Sequence, residues 1–179
     1  MNRSRRRRWG SSGIVRALAL LLLAGPAAAV TISFEGSGTV TPTGAPDEFG
    51  NLPLLATGAY SFDGDPGWTL LSPFVFSLGG GTGSGTFNFS RASDSLFGSL
   101  ATVGAPGGFL LDYTITGGTG GFAGAAGWGR SVVTLLGDPS SPPTPYSETG
   151  SLHVPEPGTL ALLGLGLAGV GLARRRRAG

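Results

Sequence analysis

The sequence predicts an all-β body, an antiparallel sandwich or barrel of about eight short strands. It also predicts an N-terminal signal helix and a C-terminal transmembrane helix flanking that body. Three observations lead there. Large side chains alternate with small or polar ones, most clearly at Phe109, Leu111, Tyr113 and Ile115; that period belongs to strands with one buried face. No body segment keeps a helical repeat for ten residues without glycine or proline interrupting it. Ten of the twelve arginines stand beside the two apolar runs at the chain ends.

Residues 1–29 read as a secretory signal peptide. Arg3, Arg5–Arg8 and Arg16 make its basic region, and Ala17–Ala24 its apolar region. Gly25-Pro26 ends the helix, and Ala27-Ala28-Ala29 offers the small residues that signal peptidase needs, with cleavage before Val30. The apolar run is shorter than the roughly 18 residues of a permanent anchor. Ser4-Arg5-Arg6 hints at twin-arginine export, but Arg8 stands where that signal usually has Phe.

The body, 30–153, takes the strands in turn. Val30, Ile32 and Phe34 alternate with polar neighbours, and Tyr60 and Phe62 share a face in 56–63. Phe74, Phe76 and Leu78 follow, then Phe87 and Phe89, then Leu96 to Leu100, then 109–115. Trp128 to Leu136 is rich in Val and Thr, and Ser147 to Val154 closes the series. Gly/Pro-rich turns fall at 41–46, 63–67, 79–85, 104–108 and 117–121. After the proline-rich loop 138–145, residues 146–154 are a final strand or an extended stalk; the alternation in 150–154 favours the strand.

Charge and composition narrow the function. From Val30 to Val154 two arginines face nine carboxylates, a net −7, although the whole chain is basic. An acidic body excludes nucleic acid as a partner. The absence of cysteine removes disulfides, thiolate metal sites and a cysteine nucleophile. The 34 glycines and 13 prolines approach low complexity, but ten Phe, three Trp and three Tyr supply a core that disordered chains lack.

No catalytic, cofactor or metal site is predicted. His153, the one histidine, stands at the domain's exit and reads as an exposed stalk residue. Asp63 and Asp65 give too few oxygens for calcium, and Asp47-Glu48 reads as solvated charge. Asp112, Asp94 and Glu35 lie on or near strands, and only their separation in space would make a carboxylate pair. Serine without a base is a poor nucleophile. Among the aromatic residues that suit sugar faces, Trp68 in its Pro-Gly turn is the best candidate for exposure. Thr39, Thr41 and Thr43 form a short ladder of the kind ice binding requires.

The tail, 154–179, has three parts: Pro155-Glu156-Pro157, an uncharged span 158–173, and Arg174, Arg175, Arg176 and Arg177. The prolines keep the box stiff and extended. As a helix the span is about 24 Å long, short for a ~30 Å hydrocarbon core. The arginines stay cytoplasmic, so the body lies outside. This order resembles the PEP-CTERM sorting signal. The resemblance implies exosortase of a Gram-negative envelope as a partner, an inner-membrane intermediate, and removal of the tail near the box. It also implies delivery to the cell surface or extracellular matrix, and a link to exopolysaccharide and biofilm. Separately, Gly117-Gly-Thr-Gly-Gly-Phe-Ala-Gly-Ala-Ala-Gly127 resembles a segment of secreted β-barrels related to allene oxide cyclase and dirigent proteins. Their charged residue before the Phe is Gly121 here, and no catalytic position can be matched. Phe122 is expected to plug the core beside that segment.

The resulting expectation is a secreted, non-catalytic structural or adhesive β domain. A carbohydrate- or ice-binding module and a barrel-type enzyme are the alternatives.

Overall fold

A computed structural model describes residues 29–139, 141–155 and Gly166. One compact unit, Ala28–Pro157, contains the barrel; the other, Met1–Ala27 with Gly158–Gly179, is described only at Gly166. The predicted signal helix, and the predicted transmembrane helix 158–173 apart from Gly166, lie outside the described residues. Among those residues no helix is long and apolar enough to cross a membrane.

Eight strands form a closed up-and-down barrel: β1 (Ala29–Pro42), β2 (Asn51–Phe62), β3 (Asp65–Ser77), β4 (Thr82–Arg91), β5 (Asp94–Ala105), β6 (Gly108–Thr119), β7 (Gly127–Leu135) and β8 (Thr144–Pro155). Each pairs antiparallel with the next, and β8 returns to β1 over a register from Ala29↔Pro155 to Val40↔Thr144. A barrel thus replaces the open choice between sandwich and barrel, and it leaves no unpaired sheet edge. The strands are longer than expected, 9 to 14 residues. Sequence turns such as 79–85 lose their second half to β4, because Gly83 and Gly85 pair with Phe76 and Phe74. Residues 144–155 form the final strand rather than a stalk.

Alternation decides the two faces. Inward positions carry Phe34, Tyr60, Phe62, Trp68, Phe87, Phe89, Leu96, Tyr113 and Leu152, all buried. Outward positions on β1, for example, are Thr31, Ser33, Glu35 and Ser37, all exposed. The interior is apolar and aromatic, whereas the outer wall mixes Ser and Thr hydroxyls with exposed Leu71, Val75, Val103, Leu110 and Val132.

The two ends differ. At the end where the chain enters and leaves, Trp68 stacks on Phe62 with centroids 4.6 Å apart, and Phe122 meets Trp68 edge-on at 5.6 Å. Phe122 comes from a short 3₁₀ turn, Gly120–Phe122, and plugs this end as the sequence predicts. Arg91 lies over the Trp68 ring at 4.9 Å and pairs with Asp65. Trp68 is therefore 2% exposed, against the expectation of an exposed platform. The strand β3 begins at Asp65, so the Pro-Gly segment is paired rather than looped, and the indole points inward. The opposite end stays open.

Candidate functional site

The barrel interior holds one carboxylate, Glu148, 2% exposed on β8. Tyr113 on β6 and Ser131 on β7 each donate a hydrogen bond to its Oε1 at 2.5 Å. Tyr60 on β2 donates to Oε2. The Tyr60 and Tyr146 hydroxyls are 2.9 Å apart. Because Tyr60 gives its proton to Glu148, Tyr146 is the donor in that pair.

Register explains how side chains from distant strands meet. Glu148 pairs with Gly36 on β1, and Gly36 pairs with Tyr60 on β2. Gly36 has no side chain, so the Tyr60 ring lies across it toward Glu148. A Cβ placed there would stand 2.3 Å from the ring. In the next inward row Gly38 lies between Tyr146 and Gly58. A Cβ on Gly58 would come within 2.9 Å of the Tyr146 hydroxyl.

The electrostatics follow from burial. Desolvation pushes the Glu148 carboxyl above its ordinary range, and the hydrogen bonds from Ser131, Tyr113 and Tyr60 pull the other way. Burial and the Glu148 charge push Tyr60 and Tyr113 far upward, and burial does the same to Tyr146. The tyrosines stay protonated at neutral pH and serve as donors, not bases.

Next to this network lies a small cavity of about 30 Å³, bounded by Leu100, Thr102, Phe109, Tyr113, Tyr146 and Glu148 among others. Above it the open end widens into a funnel of about 470 Å³ walled by residues such as Leu52, Leu54, Phe76 and Leu135. Val40 and Phe109 line both spaces. Thr102 is 3% exposed, and its hydroxyl has no hydrogen-bond partner.

The carboxylates singled out from sequence do not converge. Asp112 pairs with Arg130 at 2.7 Å on the outer wall, Asp94 accepts from the Gly121 amide, and Glu35 is exposed outside. Asp63 accepts from the Ser33 amide and Asp65 is engaged by Arg91. Asp47 accepts from the Phe49 and Asn51 amides and from the Asn51 side chain. Among the described residues no group of three or more ligating side chains could hold a metal ion. Thr39 and Thr41 lie on β1 and Thr43 beyond it, on a curved wall rather than a flat face.

His153 is a strand residue, not part of a stalk. Its ring stacks on Trp128 with centroids 4.0 Å apart, and its Nδ1 is 3.0 Å from the Thr31 hydroxyl. Trp128 is 54% exposed, so the exposed indole is this one and not Trp68. Glu148 itself was not marked as a site residue from sequence. The signal was present: Tyr146, Glu148, Leu152 and Val154 share one phase, which puts an acid on the buried face.

The other functional feature is at the chain's exit. β8 runs through His153, Val154 and Pro155, paired with Thr31, Val30 and Ala29. The PEP-CTERM protein-sorting motif matches residues 153–177. The chain carries the PEP-CTERM sorting motif. That motif implies an exported protein, processed by exosortase and sorted to the cell surface. No curated protein and no solved structure matches the chain. Glu156, Pro157, the span 158–173 apart from Gly166, and Arg174–Arg177 lie outside the described residues, as does Ala27. Val30, the predicted first residue of the mature protein, pairs directly with Val154. The predicted signal-peptidase point and the start of the sorting motif are therefore neighbours at the plugged end of the barrel.

Proposed function

We propose that this is an exosortase-processed matrix protein whose body is a non-catalytic, adhesive barrel associated with exopolysaccharide. Signal peptidase removes residues 1–29, the tail holds an inner-membrane intermediate, and exosortase then releases the barrel. The observation that carries this reading is the sorting motif running straight on from β8. The outer face of β1 supports it, because its exposed Thr31, Ser33 and Ser37 hydroxyls suit hydrogen bonding to polysaccharide. The non-catalytic part rests on Glu148 being occupied by three hydroxyl donors and on the one histidine facing outward. The test is cosedimentation of the secreted protein with exopolysaccharide from its own host. Pelleting with the polysaccharide is expected; protein left wholly in the supernatant contradicts an adhesive role.

A second reading, a carbohydrate-binding module, is favoured by the Trp128–His153 stack. An exposed indole braced by an imidazole is a ready platform for a sugar face. On a glycan array, binding that disappears in Trp128→Ala supports it, and equal binding by both proteins rejects it.

A further inference from the structure

We propose that the open end of the barrel is a binding site for a neutral, elongated apolar molecule with a hydroxyl head, of the long-chain alcohol class. The site stands apart from the sorting motif and from the outer wall, and it does not depend on the matrix reading.

Three observations carry it. The first is shape. A funnel of about 470 Å³ narrows past Val40 and Phe109 into a cavity of about 30 Å³. The larger space falls within the roughly 300–1,000 Å³ of small-molecule sites. The smaller exceeds the roughly 10–15 Å³ that one water needs, so it accepts a polar head of one or two heavy atoms.

The second is chemistry along the axis. The funnel wall is apolar, and Phe76 and Phe109 meet edge-on in it at 5.2 Å. Large apolar side chains stand exposed in the loops at this end: Phe49 at 76%, Leu78 at 57% and Leu136 at 61%. An apolar rim around an apolar mouth favours entry of an apolar body, and among the described residues no arginine stands there to receive an anion.

The third is the polar floor. The Thr102 hydroxyl is buried and unpartnered beside the cavity, and an unmet buried hydroxyl is costly. Tyr146 spends its proton on Tyr60, which leaves its oxygen free to accept. A carboxylate has about four acceptor positions, and Tyr60, Tyr113 and Ser131 fill three on Glu148. The floor therefore offers acceptors together with one hydroxyl that can donate or accept. An alcohol satisfies both. A fatty acid would bring a carboxylate into a buried site that has no cation to pair it and only the Thr102 hydroxyl to donate to it, and an unpaired buried charge is costly.

The test is calorimetric titration of the secreted protein at pH 7 with 1-decanol and with decanoate. Saturable one-to-one binding of decanol is expected, with decanoate at least about tenfold weaker, because burying an unpaired carboxylate costs at least that much. Thr102→Val is similar in shape and removes the unpartnered hydroxyl. It should keep or raise the melting temperature while weakening decanol roughly three- to tenfold, the worth of one neutral hydrogen bond. Leu135→Arg, at the rim, should abolish binding. No binding of decanol overturns the site. Equal affinity for decanoate, or unchanged decanol affinity in a folded Thr102→Val protein, overturns the assigned head group. Because this readout is independent of polysaccharide pelleting, the two readings fail separately.

Discussion

Glu148 and Gly36 form one unit at the residue scale. Of the three hydroxyls that hold the acid, that of Tyr60 reaches it across a β1 neighbour with no side chain. In Gly36→Ala the new Cβ would meet the Tyr60 ring at 2.3 Å. Overpacking of this kind costs about 1–3 kcal/mol, and a urea midpoint lowered by that amount is the expected result. Glu148 also sets a pH dependence. Its carboxyl is raised in the folded protein, so the folded state holds the proton more tightly than the unfolded one. Its contribution is fully present below the ordinary carboxylate range and is lost as pH rises through the raised value. Wild-type stability should fall over that window; in Glu148→Gln the fall should be absent when urea midpoints are compared across pH. The groups facing Glu148 are Tyr60, Tyr113, Tyr146 and Ser131, none of which titrates there. Sequence made the tyrosines legible as core residues but not their shared target. That Tyr60 and Tyr113 meet the same acid depends on β2, β6 and β8 being brought together by barrel closure, with Gly36 leaving room for Tyr60, and one-dimensional alternation does not contain that.

At the scale of the element, β8 has two roles, closing the barrel and beginning the sorting motif. Twelve residue pairs join it to β1, and a barrel without that seam exposes two strand edges. A chain ending after Pro155 should keep its near-ultraviolet circular dichroism, while one ending after Thr149 should lose it, since Leu152 and Val154 leave the core with the seam. If both retain the signal, the seam is not what closes the fold. A cut within the seam would open the barrel, so a product that keeps its fold is expected to retain β8 whole. Strand existence and phase were readable from period-two alternation, and Phe122 was readable as a plug because nothing else bulky stands in its glycine run. The length of the strands was not. Glycines at 83 and 85 look like turn residues in sequence, yet they pair inside β4 opposite Phe76 and Phe74. Trp68 misled for the same reason, since Asp65-Pro66-Gly67 reads as a loop and is the start of β3.

For the whole molecule, one end of the barrel is plugged by Phe62, Trp68 and Phe122 and carries both chain exits. The other is open and apolar. Destination is written in the tail's composition, and three consecutive chemical blocks suffice to read it. The body's partner is not, because an outer wall and a funnel emerge only when eight strands close. The delivered protein should be an acidic barrel, in contrast to the basic full chain. Intact-mass analysis of the protein secreted by its own host, with and without exosortase, tests this account most directly. The account predicts a mass lacking residues 1–29 and everything beyond the Pro-Glu-Pro box in the intact strain, and a retained tail when exosortase is absent. A product that keeps 158–179 in both strains would contradict it.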